Sequence, residues 1–237
     1  MKNSARQFSK HGNETRGFTL IEALVVLAVT AILMAIAIPQ FQRITQALRI
    51  SGDMRDITGT VGQAKMHAAA DFTHGRARAN LVANTFPANT FQLEIWNKAG
   101  AGGAGCWQTV GDAANANPLT ACTNAASPVQ PLSSGVTFGF DAMGAPPPNT
   151  QAVFGQAAAC LIGYGGQPGP ALGAIPGTAC IEFNSRGIAI DAAGGPTGNG
   201  AFYVNNGNMV YALTMAAAGP PLNWSGYDRA NSTWYNQ

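Results

Sequence analysis

Charge is scarce in this chain. Only 10% of its 237 residues are charged, 13 Lys and Arg against 11 Asp and Glu, so it lacks the basic field with which polyanion binders work. With 46% hydrophobic residues it also lies outside the charged, core-poor composition of disordered proteins. Histidine is nearly missing: His67 and His74 are the only ones beyond the first 17 residues. A hydrolytic triad needs a base held by an acid, and these two fall at a helix end and in the turn after it, where a solvated imidazole near a helix C-terminus is the simpler account. There is no Cys-x-x-Cys, no Gly-x-Ser-x-Gly and no phosphate-binding loop. The run Gly102-Gly103-Ala104-Gly105 lacks a strand–helix setting and reads as a flexible loop. The expectation is therefore no enzyme, no cofactor and no metal site.

What the chain does have is an oily segment. From Phe18 to Ile38 run 21 residues with one charge, Glu22. As a helix this is roughly 31 Å at ~1.5 Å per residue, matching a hydrocarbon core of about 30 Å. Lys2, Arg6, Lys10 and Arg16 precede it against Glu14, leaving nine cations and ten carboxylates for the remainder. A positive leader with no positive cluster just after the span predicts that residues 1–17 stay cytoplasmic and the rest is exported. A cleaved secretory signal would have a shorter apolar core followed by small residues; here Pro39-Gln40-Phe41-Gln42-Arg43 follows. A buried helix of a soluble protein is the third account, disfavoured by the length and the charged leader.

Gly17-Phe18-Thr19-Leu20-Ile21-Glu22 behind a basic leader resembles the type III signal of type IV pilins and type II secretion pseudopilins. The resemblance implies that a prepilin peptidase cuts between Gly17 and Phe18 on the cytoplasmic side and methylates the new Phe18 amine. It also implies other pilins or pseudopilins, an inner-membrane assembly platform and membrane lipid as partners. Pro39 falls where many pilins carry a helix-bending proline. The motif has a physical logic of its own. A carboxylate in a membrane helix costs on the order of 2.5–3.5 kcal/mol at the centre and less near the end. Cleavage creates a cation at Phe18, four positions before Glu22 on the same helix face. The two can neutralise each other within one chain, or between neighbours, where they would set the register of a filament. The plainer alternative is that Glu22 snorkels to the interface.

Beyond Pro39, apolar or small residues recur at Phe41, Ile44, Leu48, Ser51, Met54, Ile57, Val61, Ala64 and Ala68. Steps of three and four extend the helix to about Ala70 with one face inward; Pro39 loosens it, and Gly52, Gly59 and Gly62 weaken it. From Asp71 the texture turns to Gly, Pro and Asn with short alternating runs. Phe91, Leu93 and Ile95 alternate with Gln92, Glu94 and Trp96, a half-buried strand; Val136, Phe138 and Phe140 form another, and Ile181–Phe183 and Ile188–Ile190 flank a turn. Phe202–Val204 and Met209–Leu213 form a hairpin across Asn205-Asn206-Gly207-Asn208. Residues 141–178 read as long loops with one short strand at Ala152–Phe154. The fold expected is α+β, a long N-terminal helix packed on an antiparallel sheet. Its divisions are a leader (1–17), a membrane-spanning or filament-core helix (18–38), an amphipathic continuation (39–70) and an exported β-rich head (71–237). Cys106-Trp107, the Ile181–Gly187 stretch and the terminal hairpins resemble FimT/GspH-type minor pilins and pseudopilins, which implies the same sheet-on-helix head.

Cys106, Cys122, Cys160 and Cys180 all lie in the exported part and allow three pairings. Nearest-neighbour bonds, Cys106–Cys122 and Cys160–Cys180, would staple two Gly-rich loops, a closed loop of about 15 residues contributing roughly 3 kcal/mol. The functional expectation is a minor pilin or pseudopilin of the bacterial inner membrane. One alternative is a DNA-capturing minor pilin with Arg76, Arg78 and Arg229 as contacts. That reading is short of cations, because phosphate binding needs several Lys or Arg and the tail carries Arg229 beside Asp228. The tail aromatics more simply pack a last hairpin. The other alternative is a membrane-anchored adhesin that never polymerises.

Overall fold

The computed structural model describes residues 19–111, 128–141, 143, 146–147, 155–167, 173–228 and 233–237. Helix α1 runs from Leu20 to Ala70 and passes through Pro39 without ending. The chain separates into two compact units, one to Ile44 and one from Thr45. In the first, the helical side chains are exposed on every side, among them Leu20, Leu27, Leu33 and Phe41.

In the second unit the remainder of α1 buries a single stripe: Ile50, Asp53, Met54, Ile57, Thr60, Val61, Ala64 and Ala68, the spacing of one face at 3.6 residues per turn. Its one buried charge is satisfied, since the Ser133 N–H and Oγ–H donate to the Asp53 carboxylate at 3.0 and 2.8 Å.

Two antiparallel sheets complete the unit. The first holds β1 (Gly75–Asn80), β2 (Thr90–Asn97), β3 (Cys106–Thr109), β4 (Gln130–Pro131), β6 (Thr178–Phe183) and β7 (Ala189–Ile190). The second holds β5 (Thr137–Phe138), β8 (Gly200–Asn205), β9 (Val210–Met215), β10 (Pro221–Asp228) and β11 (Thr233–Asn236). The first is ordered β3-β2-β1-β6-β7 with β4 also on β2, and the second β11-β10-β9-β8-β5. Ala77, Ala79, Phe91, Leu93, Ile181 and Phe183 from the first sheet, and Phe202, Val204, Tyr211, Leu213 and Met215 from the second, form one core with the helix stripe. Small residues let β1 approach the helix closely: a Cβ on Gly75 would lie 2.5 Å from the Ala64 carbonyl oxygen. The other face of the second sheet has its own cluster, in which Tyr203, Ala212, Trp224 and Met143 are buried and Trp234 packs against them. Trp224 and Trp234 of the tail thus pack a terminal hairpin, while Tyr235 is exposed.

The segment Gln156–Cys160 joins the sheets. The Ala157 N–H donates to the Ala201 carbonyl of β8 at 2.7 Å, and the Ala158 carbonyl accepts the Cys180 N–H of β6 at 2.8 Å. The Gln156 side chain brackets Tyr203, accepting its N–H and donating to its carbonyl.

Some expectations change. The strand expected over Val136–Phe140 shrinks to Thr137–Phe138, ended by Gly139 at φ +143°. The loop at Gly102–Gly105 contains a short 3-10 turn, Ala101–Gly103. The strand expected at Ala152–Phe154 lies outside the described residues.

Candidate functional site

The start of α1 is built by its own sequence. The Glu22 N–H donates to Thr19 Oγ1 at 3.2 Å and the Ala23 N–H to the Thr19 carbonyl at 3.1 Å, so Thr19 is the N-cap. Thr19-x-x-Glu22 has capping-box spacing, in which the threonine satisfies an orphan N–H of the first turn. Glu22 then lies where the helix dipole favours a carboxylate. Neither the pairing of Glu22 with the Phe18 amine nor its snorkelling to the interface took account of this capping spacing, which the sequence shows. Gly17 and Phe18 lie outside the described residues.

The face of the first sheet turned away from α1 is polar and buried. Strand register sets its polar residues opposite one another: Glu182, Arg76 and Glu94 form one row, Cys180, Arg78 and Gln92 the next, Thr178, Asn80 and Thr90 the third. The DNA-capturing alternative uses Arg76 and Arg78 as phosphate contacts. They are only 1% and 4% exposed, with Glu94 fully buried between them, so neither offers a cation to a nucleic acid. The Arg76 Nε donates to Glu94 at 2.5 Å and the Arg78 Nη1 at 3.4 Å, while the Gln92 amide donates to the same carboxylate at 2.7 Å. Arg76 also lies 4.0 Å over the Trp107 ring, and Arg78 4.8 Å over Phe86. The strand carrying Gln92 and Glu94 is therefore buried on both faces, not half-buried as its alternation implied.

Burial disfavours the Arg76 cation and pulls its pKa below the usual value, against the pull of Glu94. Burial pushes Glu94 the other way, toward protonation, but Arg76 and Arg78, with hydrogen bonds from Arg76 and Gln92, outweigh it. The carboxyl is held below its ordinary range. A lone buried carboxylate would not survive this desolvation; two guanidiniums make it tolerable.

Both histidines among the described residues face carboxylates. His67 Nδ1 lies 3.1 Å from Asp71 Oδ2 on the helix end, and His74 Nδ1 lies 3.1 Å from Glu182 Oε1 while its ring stacks on Tyr164. Cys160 and Cys180 form a disulfide. Cys106 is disulfide-bonded as well, and Cys122 and Arg229 lie outside the described residues. Among the described residues no three His, Cys, Asp or Glu side chains gather as metal ligands.

Against known families, the model of the prokaryotic N-terminal methylation motif matches residues 13–38. The chain carries this methylation motif, the signature of type IV pilins and pseudopilins. No curated protein and no solved structure matches the chain. The motif spans Gly17, Phe18, Thr19 and Glu22 and ends at Ile38. It implies processing by a prepilin peptidase and assembly with other pilins. Joined to a helix apolar and long enough to cross a membrane, the methylation motif fits anchoring in the inner membrane. The α+β head, a sheet-covered continuation of that helix, is consistent with the pilin fold.

Proposed function

We propose that the chain is a prepilin whose mature form is a minor subunit of a type IV pilus or a type II secretion pseudopilus. Residues 1–17 are the cytoplasmic leader, cut between Gly17 and Phe18, and the Phe18 amine is methylated. Residues 18–38 rest in the inner membrane and are then drawn into a filament core where neighbouring helices replace lipid. Residues 39–70 carry the head, 71–237, which is exported. Glu22 balances the Phe18 amine of a neighbouring subunit and sets its axial position. With Cys160 and Cys180 joined, Cys106 pairs with Cys122. The protein works as a structural part, without catalysis.

The supporting observation is the methylation motif leading directly into a helix whose large apolar side chains, from Leu20 to Leu48, are exposed among the described residues. Large apolar side chains exposed in such number belong against lipid or another subunit. Substituting Gly17 with valine in cells that hold a prepilin peptidase tests the cleavage assignment. The expected product is full-length and unmethylated; a mature product still starting at Phe18 contradicts it. An anchored adhesin that never polymerises would keep its leader in the unaltered chain too.

A further inference from the structure

Beyond the stretch that joins the sheets, the segment from Cys160 to Gln167 lies across the polar face of the first sheet as a strap. Its carbonyls cap buried donors: Leu161 accepts from Arg76 Nη1 at 2.6 Å and Gly163 from the Trp107 Nε1–H at 2.8 Å. The Gly165 N–H donates to Glu182 at 2.8 Å, and the Tyr164 ring covers His74 and meets the edge of Trp96. The strap passes so close to the end of β7 that a Cβ on Gly165 would collide with the Asp191 carbonyl. One covalent bond ties it to the sheet, Cys160 to Cys180, and Cys180 stands beside Arg78 in the middle row.

We infer that the Cys160–Cys180 disulfide is the latch of this strap, so that oxidation seals the buried ionic rows and reduction lets that side of the head open while the helix-facing core stays folded. The asymmetry follows from what lies underneath. An apolar surface resists hydration when its cover loosens, whereas guanidiniums and carboxylates are better solvated in water than under a strap. The helix side is held by the large apolar cluster, and the strap side by the Tyr164 ring contacts and by hydrogen bonds that water can replace one for one. The covalent closure of a 20-residue separation therefore carries much of the seal. Closing the latch removes two protons and two electrons from the two thiols and passes them to a disulfide-form thiol oxidant, which leaves as its dithiol. Sealing then depends on an oxidising compartment, independently of whether the chain polymerises.

Amide hydrogen exchange on the full chain in detergent tests this, comparing the oxidised protein with the Cys160→Ser/Cys180→Ser variant. The expected result is roughly 100-fold faster exchange at Ile162, Gly165 and Ile175, with the β8–β9 hairpin within a few-fold of wild type. Unchanged strap exchange overturns the inference, and so does uniform acceleration of the whole head. Should the variant fail to fold, the unaltered chain is reduced with dithiothreitol and alkylated. Labelling of Cys160 and Cys180 while the hairpin stays protected supports the latch; labelling only as the hairpin loses protection overturns it.

Discussion

The Glu94 carboxylate is shared by two guanidiniums, Arg76 at 2.5 Å and Arg78 at 3.4 Å, with all three side chains out of solvent. Removing the shared anion strands two buried cations, which is far costlier than the net worth of the pair. Glu94→Ala is expected to destabilise the head by about 3–5 kcal/mol. Denaturant titration of the full chain in detergent checks this by tryptophan fluorescence, because all four tryptophans, Trp96, Trp107, Trp224 and Trp234, lie in the head. An unchanged midpoint removes Glu94 from the account.

The same carboxylate makes the head acid-sensitive. Its pKa is depressed in the folded state, so its contribution is complete above the unfolded carboxylate value of about 4.3 and vanishes as pH falls through the lower folded value. The midpoint of wild type is expected to drop below pH 4 more steeply than that of Glu94→Gln, which has nothing to protonate there. Parallel curves for the two proteins contradict this.

Two glycines of the head should respond oppositely to alanine. At Gly75 the added methyl meets the Ala64 carbonyl at 2.5 Å and the Ala68 Cβ at 3.2 Å, forcing β1 off the helix at a cost of about 1–3 kcal/mol. At Gly59, exposed within α1, it meets nothing within 4 Å, and helix propensity favours alanine by about 1 kcal/mol. Denaturation midpoints that move in the same direction for both variants would falsify the close packing of β1 on α1.

Assembly should depend on Glu22. Glu22→Ala is expected to be cleaved and membrane-inserted as wild type but to enter filaments several-fold less, measured by immunoblot of the sheared filament fraction against the cell-bound pool. Equal incorporation contradicts the pairing of Glu22 with a neighbour's Phe18 amine.

Helix α1 was legible because its signal is long and redundant: an apolar run to Ile38 with one charge, then steps of three and four to Ala68 that carry it to about Ala70, where it ends. The β8–β9 hairpin was legible from Asn and Gly at its turn, where Gly207 takes φ +79°. Strand β1 was not. Arg76-Ala77-Arg78-Ala79-Asn80 alternates with period two, but alanine gives a weak apolar face and arginine reads as solvent-facing by default. Its burial depends on partners far along the chain: Glu94 eighteen residues on, and a strap another sixty or more beyond. The matching alternation Thr90-x-Gln92-x-Glu94, polar throughout and ending on a carboxylate that can face Arg76 and Arg78, was the available clue. Pairing the two strands in register is what turns it into a site.

The most direct test is mass spectrometry of the N-terminal peptide of the chain extracted from bacterial cells that contain a prepilin peptidase. The account predicts a polypeptide that begins at Phe18 and carries one methyl group on its α-amine. Recovery of Met1 with the Gly17–Phe18 bond intact and no methyl on Phe18 contradicts it.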